Sequence, residues 1–184
     1  LTGEVGIIRL IDAIKYKGGT RVTMVCGFRA LKDYRMKESN IREISRMLSA
    51  KPEESAQAVK RLQDEAKSWR EKLIQTQSRA MEQILENLPE HVENYLVFKK
   101  DVDKNVARRF VDDGKSKCQG ICSIFLGNDE DGYRYILGSE SVDLKAFSKT
   151  FHETLGGKGG GKGEMVQGTV NASEETIRNY IENK

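Results

Sequence analysis

The 184 residues are 38% hydrophobic and 32% charged, with a net charge of +3. No run of about 18 apolar residues occurs, which excludes a helical membrane span, and three cysteines are too few for a disulfide scaffold. The length suits one ordinary domain or two small ones, and the basic excess, a net +5, falls within residues 1–50.

The first ten residues, LTGEVGIIRL, lack the basic stretch and apolar core of a signal peptide. They also lack an initiator Met, which suggests a processed or excised chain, and the expected location is cytoplasmic. Residues 5–27 alternate in polarity and are rich in β-branched side chains, so two strands are expected, joined at Gly18-Gly19. Two strands alone are marginal, so the hairpin is expected to pack on the helical segment or a second copy. Helix follows from Phe28, with Leu31 and Tyr34 on one side. Asn40 and Glu43 read as a capping box that opens a separate short helix, Ile41 to Leu48.

Pro52 fits the first turn of a long helix. No Gly or Pro interrupts it before Leu88, so it runs about 35 residues, roughly 50 Å at 1.5 Å per residue. Val59, Leu62, Ala66, Trp69, Leu73 and Ala80 recur three or four residues apart, interrupted at Thr76, and Ile84, Leu85 and Leu88 extend the line, a narrow stripe that suits a coiled-coil seam or a helical hairpin. Packing in that seam is the expectation for Trp69, ahead of stacking on a base.

After Pro89 the pattern is a small α/β unit. Strands are expected at 95–100, 120–128, 133–140 and 164–170, and helices at 103–113, 143–155 and from Ser173. The fold class is therefore α+β, a mixed α/β chain divided into residues 1–40, 41–89 and 90–184. Cys26, Cys118 and Cys122 have no metal-ligand spacing and read as buried thiols in a reducing cytoplasm. His91 and His152 have no catalytic partner at recognisable spacing.

Gly156 to Gly163 holds six glycines and two lysines in GGKGGGKG. A nucleotide phosphate loop fails here, because Gly163 stands where Ser or Thr would hold magnesium, and because a helix enters and a strand leaves. Gly156 and Gly157 follow the last periodic residue of a helix, where a left-handed cap belongs. The remainder reads as a backbone nest for an oxygen anion, with Lys158 and Lys162 adding charge. The candidate phosphate-binding residues are Gly157, Lys158, Gly159, Gly160, Gly161, Lys162 and Gln167. Met165 reads as core.

The segment LGGKGGGKGEMVQG, with VDLKAFSKTFHETL before it, resembles the signature of the DHH-associated domain of alanyl-tRNA synthetases and of long free-standing alanyl-tRNA editing proteins. TGEVGIIRLID and GGTRVTMVCGFRALKDY resemble the end of the editing domain in the same proteins, and the segment from Lys15 to Tyr34 is closer to the free-standing type. The resemblance implies a parent that hydrolyses mischarged tRNA with a zinc ion held by HxxxH and CxxxH pairs. His91 and His152 belong to neither motif, so no cofactor is expected here, zinc being implied for the parent alone, and the fragment is expected to be inactive by itself.

The resemblance also implies partners: tRNA, specifically tRNA(Ala), and a homodimer through residues 52–88, with no membrane. Arg9, Arg21, Arg29 and Arg35 would then flank the acceptor end. Gly163 departs from the family, which often has Pro there. Two alternatives stay open: a purely structural dimerisation module, which the near-neutral charge of residues 91–184 favours, and a phosphodiester or nucleotide pocket like that of DHH phosphoesterases.

Overall fold

The computed structural model describes residues 2–89 and 92–182, so His91 lies outside the described residues. The chain divides into two compact units, residues 1–68 and 69–184. The class is α+β, with two sheets among the described residues.

In the first unit, β1 (Ile8–Tyr16) pairs antiparallel with β2 (Gly19–Cys26). Tyr16 faces Gly19, so the two-residue turn is Lys17-Gly18, one position before the expected one. Both turn residues have positive φ, 41° and 81°, the geometry that matches strand twist in a tight hairpin. The register shifts between Leu10 and Asp12. Many apolar side chains of this hairpin are exposed, among them Ile8, Leu10, Ile14, Val22 and Met24.

One uninterrupted helix, α1 (Phe28–Met47), follows. The separate helix expected from Asn40 is thus overturned: Asn40 lies inside α1. Nothing between Phe28 and Met47 breaks a helix, and the pairs Lys37–Asp33 and Arg42–Glu38, each four residues apart, support it. A buried bond between the hydroxyls of Ser45 and Ser55, 2.9 Å, ties α1 to the start of α2 (Ser55–Glu86). Pro52 occupies the short 3-10 turn that leads into α2, as its fixed φ allows.

The first half of α2 leaves its apolar stripe uncovered within the chain: Val59, Leu62, Trp69 and Leu73 are all exposed, and Trp69 is 68% accessible. The expectation that Trp69 is packed does not hold within this chain; its ring carries only the Lys72 ammonium, 4.6 Å away. In the second unit the helix turns Met81 and Leu85 inward with Ile74 and Ile84 beside them, so only the downstream extension of the stripe is packed there.

The second unit is a five-stranded sheet in the order β3-β4-β5-β7-β6, built from β3 (Tyr95–Lys99), β4 (Cys122–Asn128), β5 (Gly132–Gly138), β6 (Lys158–Lys162) and β7 (Met165–Val170). The β3–β4 pair is parallel and the others are antiparallel. One face of the sheet carries Phe125, Tyr133, Tyr135 and Leu137 against α4 (Leu144–Leu155) and α5 (Glu174–Glu182). The other carries Val97, Ile124 and Ile136 against α3 (Lys104–Gly114) and the end of α2. Strand alternation produces both cores at once, because successive side chains point to opposite faces.

Side-chain caps fix the helix starts. Asp103 accepts from the Asn105 amide, and Asp143 accepts from the Lys145 and Ala146 amides. At the start of α5, the Glu174 amide donates to Asp129 from the β4–β5 turn, and Tyr133 donates its hydroxyl to the same oxygen. Both donors hold the Asp129 carboxyl below its usual range, the amide first.

Cys122 is buried, Cys26 and Cys118 are half-buried, and all three are free. A hydrogen bond between Cys118 and Cys122 pushes the first thiol down and the second up. No helix among the described residues is long and apolar enough to cross a membrane.

Candidate nucleic-acid interface

The glycine-rich stretch is neither a loop nor a nest. It is β6, the edge strand of the sheet, paired with β7 through a hairpin turn at Gly163-Glu164. Consecutive N–H groups of an extended strand point to opposite sides, so they cannot converge on one anion. The two amides ahead of the strand, Gly156 and Gly157, are already committed to the His152 carbonyl, at 3.0 and 3.2 Å. Gly156 caps α4 in the left-handed conformation, as its position after Leu155 foretold. Gly163 has φ of 65°, which proline cannot adopt.

The register divides the candidate residues between the two sheet faces. Gly157, Gly159 and Gly161 serve packing. A side chain on Gly157 would strike His152, and one on Gly159 would strike the β7 backbone and the Tyr135 hydroxyl. Gly161 is crowded by the backbone of Met165 and Val166. Beneath them the Tyr135 hydroxyl makes a short hydrogen bond to His152 Nε2. Burial pushes the Tyr135 phenol up to about 12. His152 is therefore partnered, but by a tyrosine in a packed layer.

Lys158, Gly160, Lys162 and Gln167 face the other way, towards the side of the sheet that α3 covers. Cross-strand pairing builds three rows there: Leu126–Arg134–Thr169–Lys158, then Ile124–Ile136–Gln167–Gly160, then Cys122–Gly138–Met165–Lys162. The first two positions of each row lie on β4 and β5, where α3 packs; Gly138 lets it approach so closely that any side chain would strike Val111. The last two positions lie on β7 and β6, and Gln167, Thr169, Lys158, Gly160 and Lys162 are exposed. The result is a step, with β7 and β6 as the tread and α3 as the riser. Met165, expected in the core, is half-buried beside α3.

Three adjoining cavities of about 180, 480 and 750 Å³ run along this step. Six cations line them: Lys100, Lys104, Arg108, Arg134, Lys158 and Lys162. None of the six forms an ion pair among the described residues, whereas Arg109 and Lys115, on and just after α3, both do. Only Asp101 and Asp131 bring opposite charge to the lining. At 3.3 Å per residue Lys158 and Lys162 stand about 13 Å apart along β6. Lys104 and Arg108 are about 6 Å apart along α3.

Lys104, Arg108 and Arg134 were not among the sequence candidates. Arg134 stands between two tyrosines in a strand, and Arg108 looks like any charge on a solvated helix face; only the register brings them beside Lys158 and Lys162. Within the first unit, Arg9 pairs with Asp33 and lies over Tyr34, and Arg21 lies over Tyr16. Among the described residues no group of three or more His, Cys, Asp or Glu is placed to hold a metal ion.

The family model of the DHHA1 domain matches residues 92–183, which takes in the whole five-stranded sheet. The chain belongs to the DHHA1 domain family. It is also similar, over most of its length, to alanine–tRNA ligases. One from Magnetococcus marinus is 31% identical, with 91% of this chain and 20% of that protein covered. One from Sulfurisphaera tokodaii is 30% identical over 98% of this chain and 21% of that protein. One from Nitrosospira multiformis is 24% identical, covering 98% and 23%. The chain thus spans about a fifth of the length of these relatives and is a region related to alanyl-tRNA synthetases. The DHHA1 match lies wholly downstream of the β1–β2 hairpin and α1, and the glycine strand falls inside it.

Proposed function

We propose that this chain holds tRNA for an alanyl-tRNA synthetase-related protein, seating the phosphate backbone on the β6 edge and on the cation-lined step beside it. The observation that carries the reading is the set of six unpaired cations facing one trough, in a half of the chain whose net charge is nearly neutral. Phosphate contacts of this kind position nucleic acid without reading its sequence. Lys158 and Lys162 supply the charge on the edge strand, and Gln167 a neutral amide between them. The relatives' names support alanine tRNA as the cognate partner, and the likeness of residues 15–34 to free-standing editing proteins supports an editing parent. Zinc-dependent hydrolysis is no part of the role proposed for these residues.

A second element of the reading is a homodimer through residues 52–88. It rests on the exposed stripe of Val59, Leu62, Trp69 and Leu73, which the chain itself leaves uncovered. A purely structural module would show this stripe without using the trough. Titrating tRNA, an unrelated RNA and a mononucleotide at two salt concentrations separates the roles. The RNA-holding reading predicts tight, salt-sensitive binding of tRNA and weak binding of the mononucleotide. A structural module predicts that nothing binds, and a small phosphodiester pocket that the mononucleotide binds as tightly as tRNA.

A further inference from the structure

At the end of the trough nearest the hairpin turn, the 180 Å³ recess differs in kind from the rest. It is lined by Arg108, Ile136, Gly160, Lys162, Met165 and Gln167. Its lining is mixed: Ile136 and the half-buried Met165 bring apolar atoms, and Arg108 and Lys162 bring charge. The Gln167 side chain is exposed on β7, and its amide offers two donors and an acceptor to the recess. Gly160 opens onto the recess without conformational need: its φ is not left-handed, and nothing lies within 4 Å of the position a Cβ would take. Every other glycine from 156 to 163 is accounted for by a turn, a cap or a crowded neighbour.

The geometry points to this recess as a seat for one unpaired nucleobase of an RNA strand lying along the trough. The inference rests on the backbone-holding role proposed above and names the form of RNA that the step takes. A cavity of about 150 Å³ is enough to bind benzene, so 180 Å³ holds a base-sized ring. A planar ring laid over Gly160 would meet Ile136 and Met165, while its polar edge meets the Gln167 amide. Arg108 and Lys162 would take the phosphates before and after it, and the remaining cations would carry the strand onward. A duplex keeps its bases stacked inside and has no use for such a recess, and unpaired RNA is where base edges become readable.

The test compares a labelled single-stranded RNA, a blunt duplex of the same sequence and a free mononucleotide, at one salt concentration. Wild-type protein is set beside Gly160→Leu, Gln167→Ala and the double variant Lys158→Ala/Lys162→Ala. The recess offers apolar and amide contacts rather than an aromatic platform, so the single strand should bind roughly fivefold tighter than the duplex, the low end of what base seating gives. Gly160→Leu fills the recess and Gln167→Ala removes its polar edge. Each should abolish that preference while thermal unfolding stays unchanged. If Gly160→Leu fails to fold, the exposed Gln167 decides alone.

Equal affinity for single strand and duplex would overturn the inference. So would variants that fold and bind like wild type, or a mononucleotide that binds as tightly as the strand. If the lysine pair weakens single strand and duplex alike while the recess variants change nothing, the backbone reading stands and the base seat falls.

Discussion

Lys115 Nζ stands 2.7 Å from Glu164 Oε2, so the tip of the β6–β7 hairpin is tied to the end of α3. The same ammonium reaches Asp112 at 3.0 Å. These two bonds, Glu164 first, raise the Lys115 pKa above its ordinary value. The hairpin is an edge element whose outer strand has almost no side chains to pack, and this clamp sets how far it stands from the cations on α3. Lys115→Ala should therefore speed hydrogen exchange at residues 158–165 and weaken RNA binding, while global thermal unfolding barely moves. Unchanged exchange in the hairpin would show that pairing with β7 alone fixes it.

The register makes neighbouring glycines opposites. A methyl on Gly159 would meet the β7 backbone and the Tyr135 hydroxyl; one on Gly160 would meet open space. Gly159→Ala should destabilise by about 1–3 kcal/mol through overpacking. Gly160→Ala should be neutral, or stabilise by up to about 1 kcal/mol by restricting the unfolded chain. Thermal unfolding of the two variants measures both. Equal effects would mean that β6 is not paired in the register described.

Asp129 joins the β4–β5 turn to the start of α5, and its carboxyl is held below the ordinary aspartate range by the Glu174 amide and the Tyr133 hydroxyl. A lowered folded-state pKa stabilises above the unfolded value, about 3.9, and that stabilisation is lost as pH falls through the folded value. Asp129→Asn should therefore be less stable than wild type at neutral pH, and the gap should narrow as pH drops below about 4. Unfolding midpoints measured across that window test it; a gap independent of pH would assign the effect to shape rather than charge.

The exposed stripe on α2 predicts concentration-dependent self-association. Sedimentation equilibrium should show dimer, and replacing Leu62 and Trp69 together by Lys should leave monomer with the far-UV spectrum intact. A wild-type chain that stays monomeric at every concentration would remove the dimer from the account.

Much of this architecture was legible in the sequence, for physical reasons that also explain the failures. Downstream of Pro89 the strands and helices announce themselves through alternation, Asp103, Asp143 and Ser173 as starts, and the Asn128–Gly132 turn. Strand β6 does not, because Gly-Gly-Gly carries no side-chain pattern and its pairing with β7 is a tertiary fact. Asn40 and Glu43 imitate a helix start, but α1 had no reason to stop before them. The stripe through Leu73 and Ala80 stays outside the core of the C-terminal unit, which takes Ile74 and Met81, missed by that stripe, together with Ile84 and Leu85, which extend it. Lys158 and Lys162 were visible from composition. Lys100, Lys104, Arg108 and Arg134 were not, since their proximity to the edge strand depends on the fold of the sheet and on where α3 packs.

The central claim is that Lys158 and Lys162 hold RNA phosphate, and the salt dependence of tRNA affinity tests it most directly. Removing two phosphate contacts should weaken binding and reduce the slope of log affinity against log salt by about 1.5 to 2. That is the result expected of Lys158→Ala/Lys162→Ala in the intact chain. A double variant whose affinity and salt slope match those of the wild type would contradict the account.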